Sequence, residues 1–428
     1  MSSDSKTPVV SPPGPTKTRR YTAILILVTL GVYSLCIWFP AIMALTGVTH
    51  YGVWFMDTYA ILAAVDAQRL GLDPYDYNPL NHFGGPHVYS HWWLWLEHLG
   101  LTRAHTLWLG ALISGLGLVT AWGILRPRTR RELACALVML CSAPVVLGLN
   151  RANADLLLFV LLSLCVPCLL GRSRFWRITG VPVLVVLAMG LKFYPVVAGL
   201  IVLAVRPQRD RRLALLLLVA LVIPVGLNIA PDLVHYQADR LPEGLYTFGA
   251  TTALAGVGIS SAGVLLAAGG FLALVGMWFV QRAKLRTWNA PGSLQTEYLQ
   301  FILGAAILTG SFVLTVNYAY RWIYAVWMLP FLCRLEVPAA SVFLRQWLTA
   351  TRWLLLIVVS GEMLGSLALN MLLPPNPQPV MDRWGDLTNA LLQPVHWLLF
   401  ACLSGWLVHF IVTQLKSPPA APAGGTVI

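Results

Sequence analysis

The run from Thr22 to Thr46, TAILILVTLGVYSLCIWFPAIMALT, contains no charged side chain. A helix needs about 20 apolar residues to cross the hydrocarbon core of a bilayer, so this run is long enough to span one. The rest of the chain is similar, because 57% of its 428 residues are hydrophobic and 11% are charged. Soluble domains carry about 25% charged residues. The composition therefore indicates an integral membrane protein.

Further apolar runs follow along the chain, and only helices cross lipid without leaving backbone polar groups unpaired. We therefore predict an all-α, polytopic transmembrane helical bundle with about twelve membrane helices. One membrane domain is expected over residues 21–415, between disordered cytoplasmic tails at 1–20 and 416–428. The apolar runs lie near 22–46, 104–125, 133–149, 154–170, 178–190, 193–205, 213–230, 258–281, 299–316, 322–333, 353–373 and 388–414.

Basic residues are distributed unequally between the connections. With a cytoplasmic N-terminus, 22 of the 29 Lys and Arg residues fall on inner segments, which agrees with the positive-inside rule. We therefore expect a multi-pass protein of the inner (plasma) membrane with both termini in the cytoplasm. The net charge of +12 is then explained by contact with anionic membrane lipids, and no nucleic-acid partner is expected. Seven bases remain near the outer face: Arg69, Arg103, Arg151, Lys192, Arg240, Arg321 and Arg383.

Two apolar segments are short: residues 178–205 are too few for two full crossings, and residues 322–333 are too few for one. Residues 178–205 lie between two basic flanks and contain LKFYP at 191–195, which predicts two short helices meeting at a charged apex. Residues 322–333 are also short and follow NYAYR at 317–321. Non-helical backbone at membrane depth is tolerated only where it lines a cavity, so these segments indicate a recessed site.

The longest outer loop, residues 47–103, contains WFMDTYAILAAVDAQRLGLDPY from Trp54 to Tyr75. This pattern predicts a short helix with Asp57 at its N-cap and Gly71 as its C-terminal stop. A second helix is predicted over 87–99, with Trp92, Trp93 and Trp95 at the lipid interface. We expect both interfacial helices to cover a cavity.

Asp57 has two interpretations. It could simply cap the helix, or it could act as a general base that accepts a proton from a sugar hydroxyl. Asp66 is expected to be solvated, and Asp73 to shape the Asp-Pro turn. His87 and His91 have a spacing that could bind zinc, but they have neither an HExxH pattern nor cysteine ligands, so no metal and no cofactor are predicted.

Three cations could act beside Asp57. Arg151 could form an i, i+4 pair with Asp155. Lys192 and Arg321 are costly at membrane depth, which makes them candidates to bind a lipid-linked phosphate. Either could instead neutralise a structural carboxylate.

These features resemble glycosyltransferase family 87, whose members use polyprenyl-phosphate mannose and belong to the GT-C superfamily. The resemblance rests on Asp57 after the first span, GLDPY at 71–75, NRANADLLLF from Asn150, LKFYP at 191–195 and NYAYR at 317–321. It implies a GT-C fold and an inverting transfer of a sugar, with mannose as the first candidate, on the outer face. Asp57 is the implied base, and the partners are a polyprenyl-phosphate-linked sugar donor and a glycan or glycolipid acceptor. Lys192, Arg321 and Arg151 are the implied phosphate ligands, and the substrate-binding residues are Tyr194, Tyr318, Tyr75 and Asn153.

The alternative is a transporter or flippase of lipids or sugars, followed by a non-catalytic assembly protein. Transporters more often have paired halves with broken helices in both, together with a short first loop. This chain has no convincing internal repeat, and its first outer loop is long and acidic. Replacing Asp57 with Asn separates the two classes, because only the enzyme depends on that acid for turnover.

Overall fold

The computed structural model describes residues 15–46, 48, 52–82, 84–235, 247–250, 261–283, 290–314, 317–337, 341–372 and 378–416. Within the last two ranges, the side chains of 362–372 and 378–390 are not described. Arg240, the side chain of Arg383 and most of both predicted tails therefore lie outside the described residues.

The described chain is a bundle of α-helices joined by short connections and 3₁₀ turns. Its α-helices are α1 Pro15–Trp38, α2 Pro40–Leu45, α3 Met56–Arg69, α4 Thr106–Leu125, α5 Arg130–Leu140, α6 Ala143–Arg151, α7 Ala154–Ser163, α8 Cys165–Leu170, α9 Arg174–Leu191, α10 Gln208–His235, α11 Ser261–Arg282, α12 Gln295–Leu314, α13 Ala325–Arg334, α14 Val342–Leu372 and α15 Gln378–Lys416. The 3₁₀ helices are His91–Leu99, Arg103–His105, Tyr194–Ala204, Gly292–Leu294 and Ala319–Tyr324.

Eight helices in the described part of the chain are long and apolar enough to cross a membrane. The number is nine if α5 and α6, which meet at a bend of 50°, form one span. The prediction of an all-α, multi-pass protein is thus confirmed. The predicted number of membrane helices, about twelve, is larger than the eight or nine full spans found in the described residues. Part of the difference is that two apolar segments, Ala154–Leu170 and Tyr194–Ala204, are shorter than full spans.

The packing of the spans separates an interior from a lipid-facing layer. Among the eight spans, α12 is the most deeply buried and α10 the least. Large aromatic side chains fill the interior around α12 and α13, including Phe301, Trp327 and Phe331. Because lipid is as apolar as this core, helices that are hydrophobic on all sides can occupy either layer.

Two irregular segments lie where the short apolar runs were predicted. α9 ends at Leu191, Lys192 is extended, and the 3₁₀ helix Tyr194–Ala204 follows, so the predicted interruption is present. Only the second helix is short, because α9 is long enough to be a full span. Asn317–Tyr318 form a short strand, β2, that pairs antiparallel with β1, Thr247–Phe248. β2 leads into the 3₁₀ helix Ala319–Tyr324 and then α13.

A buried ion cluster ties several helix ends together on the side predicted to be cytoplasmic. Arg334, at the end of α13, lies 3.1 Å from Glu132 and 2.9 Å from Glu297. Its Nη2 also donates to the carbonyl oxygens of Leu125 and Arg126 after α4. One guanidinium on α13 therefore binds carboxylates and carbonyl oxygens from three other helices, which satisfies the hydrogen-bonding needs of a buried arginine.

The segment predicted as the first outer loop differs in detail from the prediction. Asp57 is not the N-cap of α3, since Phe55 occupies that position in the left-handed region with φ 58°. The Asp57 carboxylate is instead bound by side chains from another helix, described below. Gly71 follows α3 with φ +73°, which confirms the predicted stop.

The other acids and aromatic residues of the loop are only partly as expected. Asp66 is not solvated but lies 2.9 Å from Nε of Arg103. Asp73 accepts a hydrogen bond from the backbone of Tyr75, so its predicted turn is confirmed. The second helix is a 3₁₀ helix over His91–Leu99, and Trp93 is buried rather than at the lipid interface.

Candidate functional site

Asp57 is buried in the first turn of α3, with both carboxylate oxygens engaged. Nε and Nη2 of Arg151 each lie 2.8 Å from its Oδ1. The side-chain amide of Asn153 donates to its Oδ2. Arg151 ends α6 and Asn153 caps α7, so the turn between these helices delivers both partners.

The predicted pair of Arg151 with Asp155 is wrong. Ala152 lies between α6 and α7 in the left-handed region with φ 43°, which ends the first helix before the second begins. An i, i+4 pair requires one continuous helix, and this turn separates the two side chains. Arg151 reaches Asp57 instead, and Asp155 pairs elsewhere.

Asp155 is the centre of a second buried group. Nζ of Lys192 lies 3.0 Å from its Oδ1, and Nε of Arg321 lies 3.6 Å from its Oδ2. The Tyr194 hydroxyl also donates to Oδ1 and lies 2.9 Å from the hydroxyl of Tyr324. Lys192 and Arg321 therefore contact a buried carboxylate. This contact is one of the two alternatives that the sequence left open for these cations.

Asn153 connects the two carboxylates. Its amide nitrogen donates to Asp57, while its Oδ1 accepts from the backbone of Asp155 at 2.8 Å and lies 3.4 Å from Nζ of Lys192. The resulting network contains three cations and two carboxylates, so its formal charge is +1. It is formed by Asp57, Arg151, Asn153, Asp155, Lys192 and Arg321.

A pocket of about 620 Å³, open mouth included, lies on one side of this network. Lys192, Arg321, Tyr194 and Tyr318 line it, so four of the predicted site residues share one space. Asp57, Arg151 and Asn153 do not line it. They lie behind the pocket, and Asn153 connects them to its wall through its contact with Lys192.

Aromatic rings surround the Lys192 ammonium at the pocket wall. Nζ lies 5.1 Å from the centre of the Tyr89 ring and 5.5 Å from that of Tyr320. The Arg321 guanidinium lies 4.2 Å above the Tyr194 ring. Such cation–π contacts stabilise charge at a partly desolvated site without neutralising it.

The carboxylate that lines the pocket is Asp232, from the end of α10. His91 contacts this carboxylate with both its backbone nitrogen, at 3.0 Å, and its ring Nδ1, at 2.9 Å. The hydroxyl of Tyr75, a predicted substrate-binding residue, donates to the same carboxylate at 3.2 Å. Tyr75 is thus near the pocket but behind Asp232.

Sequence reasoning missed Asp155, Asp232, Tyr89 and Tyr320 as site residues. Asp155 had a usable signal, because an acid inside an apolar helix needs a partner or a function. The position of Asp232 at the end of a span is a weaker signal. The tyrosines had none, since aromatic residues are common at membrane interfaces.

The loop histidines are parts of the hydrogen-bonded loop. His87 is buried, its Nε2 lies 3.2 Å from the Ser90 carbonyl oxygen, and burial lowers the pKa of His87 to about 4. Its ring is therefore neutral near pH 7. Within the part of the chain that the structure describes, no group of three or more His, Cys, Asp or Glu residues could hold a metal ion.

The fold and site define a multi-pass helical membrane protein with a buried, positively charged network beside an aromatic pocket. Comparisons with protein-family models, curated proteins and solved structures found no match to this chain. The function is therefore argued from the chemistry of the pocket.

Proposed function

We propose that this protein is a membrane glycosyltransferase of the GT-C type that uses a polyprenyl-phosphate sugar, with mannose as the first sugar to test. The observation that carries the proposal is the pair of buried cations, Lys192 and Arg321, on the wall of one pocket. Both face the single carboxylate of Asp155. Two cations facing one carboxylate give this group a formal charge of +1, which favours an anionic ligand.

A lipid-linked phosphate fits this charge and this position. Its oxygens accept charge-assisted hydrogen bonds from Lys192 and Arg321, while its prenyl chain stays in the bilayer. Tyr194 and Tyr318 line the same pocket and are the proposed contacts for the sugar. No nucleotide, metal ion or other cofactor is required, because the leaving group is already stabilised by the two cations.

The proposed reaction is an inverting transfer. The acceptor hydroxyl oxygen forms a bond to the anomeric carbon, the bond between that carbon and the phosphate oxygen breaks, and the hydroxyl proton passes to Asp57. The leaving polyprenyl phosphate keeps the bonding electrons and is held by Lys192 and Arg321. Because Asp57 does not line the pocket and is held by Arg151 and Asn153, the proposed proton transfer requires these two side chains to move and open a path from the pocket to Asp57.

The same proposal includes about twelve crossings, with both termini in the cytoplasm of the cell and the pocket on the outer face. The short segments Ala154–Leu170 and Tyr194–Ala204, together with Ala319–Arg334, would add to the eight full spans and the bent pair of α5 and α6. These short segments begin near Asp155 and Arg321, which belong to the buried network, and at Tyr194, which donates to Asp155. Partial spans are expected where the chain lines a cavity.

The experiment is transfer of labelled mannose from polyprenyl-phosphate mannose by purified protein, with a membrane extract as the source of glycan or glycolipid acceptor. We expect Asp57→Asn to lower turnover at least about 100-fold while donor binding persists, because a general base typically contributes that much. Lys192→Ala should weaken donor binding as well.

Asp66→Asn is the matched control. Asp66 lies on the same helix as Asp57 and also pairs with an arginine, but it does not belong to the network. This variant should keep normal turnover. If Asp57→Asn and Lys192→Ala both transfer mannose as fast as the wild type, the site assignment is wrong. If the wild type moves lipid across the membrane without transferring sugar, a transporter or flippase is favoured.

A further inference from the structure

The pocket has an acidic end that the proposed reaction does not use. Asp232 lines the same pocket as Lys192 and Arg321, yet within the described residues no ion pair joins it to either cation. The carboxylate paired with those cations is Asp155. The pocket is therefore divided between a cationic wall and a carboxylate.

The Asp232 carboxylate is fixed in position by the first outer loop. Its Oδ2 accepts from the backbone nitrogen of His91 and contacts Nδ1 of the same residue. Its Oδ1 accepts from the Tyr75 hydroxyl. Because the backbone and the ring of His91 both contact Oδ2, the carboxylate cannot rotate unless the loop moves.

Counting acceptor positions shows what this carboxylate still offers. An ionised carboxylate has about four hydrogen-bond acceptor positions. The described contacts occupy two on Oδ2 and one on Oδ1, which leaves one on Oδ1. A hydroxyl group is a suitable donor for this position, whereas a phosphate oxygen is not, because like charges repel.

We propose that Asp232, oriented by His91 and Tyr75, binds hydroxyl groups of the sugar carried by the phosphate donor. The inference rests on the proposed function and divides its pocket into two ends. Lys192 and Arg321 hold the phosphate, and Asp232 distinguishes a phosphate that carries a sugar from one that does not. A hydrogen bond to a charged group contributes enough to change affinity about tenfold or more.

The test measures binding of two probes to the purified full-length protein in lipid nanodiscs. The probes are polyprenyl-phosphate mannose and polyprenyl phosphate without a sugar. Wild type should bind the mannosylated lipid about tenfold more tightly. Asp232→Asn should bring the ratio of the two affinities close to one without weakening the binding of polyprenyl phosphate.

Two further variants separate this role from a general loss of structure. Lys192→Ala should weaken binding of both probes, since both carry the phosphate. Tyr75→Phe removes one hydroxyl that holds Asp232, so it should lower the ratio in the same direction but by less. Asp66→Asn, outside the pocket, should leave both affinities at the wild-type values.

The outcomes distinguish the inference from the function on which it rests. If wild type discriminates and transfers mannose but Asp232→Asn and Tyr75→Phe keep the full affinity ratio, the role of Asp232 is overturned while the proposed function stands. If wild type binds neither probe and transfers nothing, both are overturned. A ratio that collapses in Asp232→Asn without weaker binding of polyprenyl phosphate supports the assignment.

Discussion

Asp57 and Asp155 illustrate how one polar side chain can join two buried charges. Asn153 donates to Asp57 through its amide nitrogen and accepts from the Asp155 backbone through its amide oxygen. Both carboxylates also contact cations, as buried charges require. The network is thus a connected unit, and replacement of one member changes the surroundings of the others.

His87 gives a prediction for pH dependence. Its pKa is lowered to about 4 by burial, against 6.5 for an unburied histidine. The unfolded chain therefore binds a proton more readily, so the stabilising effect of the neutral ring is complete above pH 6.5 and is lost as the pH falls toward 4. The full difference corresponds to about 3 kcal/mol.

We expect the first outer loop to lose hydrogen-exchange protection between pH 6.5 and 4. His87→Gln should be less stable than wild type at pH 7 but much less sensitive to pH in this window. His98→Gln, which changes an exposed histidine, is the control and should behave like wild type. A wild-type loop equally protected at both ends of the window would contradict the prediction.

The helices and their connections show which elements position the site. The left-handed turn at Ala152 separates α6 from α7 and directs Arg151 to Asp57. The extended residue Lys192 separates α9 from the following 3₁₀ helix and directs its ammonium to Asp155. In both places the charged side chain is positioned by a break between two apolar helices.

Gly190, in the last turn of α9, gives a prediction for contact between the outer loop and the bundle. A Cβ at this position would lie 2.2 Å from the Trp92 ring, which is too close for any contact. The Trp92 indole is also held by Asn228 on α10 at 2.8 Å. We therefore expect Gly190→Ala to force the ring away and to destabilise the fold by about 1–3 kcal/mol.

Thermal unfolding and tryptophan fluorescence in detergent would measure this effect. Gly123→Ala is the control, because a Cβ there meets nothing within 4 Å and alanine is the better helix former. It should be neutral or slightly stabilising. Equal unfolding temperatures for Gly190→Ala and wild type would show that the loop does not pack on α9 as described.

Among the residues that the structure describes, two networks of buried ion pairs lie in different parts of the molecule. One surrounds Asp57 and Asp155 beside the pocket, and the other surrounds Arg334 at the opposite ends of the helices. The charges of the second group balance. Glu132 and Glu297 pair with Arg334, and Glu297 also pairs with Arg128. None of these four residues is among those that line the pocket, so the role of this group is to hold helix ends together.

Arg334→Ala should therefore destabilise the protein without a direct effect on the pocket. Removal of one partner leaves buried carboxylates and helix-end carbonyls uncompensated, at a cost of about 3–5 kcal/mol. The measurement is unfolding temperature in detergent. Arg130→Ala, which removes an exposed arginine from the same side, should have little effect, and equal unfolding temperatures for the two variants would refute the assigned role.

The sequence by itself determined the class of fold, because the absence of charge over runs such as Thr22–Thr46 leaves a membrane helix as the only way to satisfy the backbone. It also located Lys192, Tyr194, Tyr318 and Arg321, since polar groups within short apolar segments need a common cavity. Only the tertiary structure decided the charge partners. Those pairs join helices far apart in the chain, and local spacing carries no information about which helix ends meet.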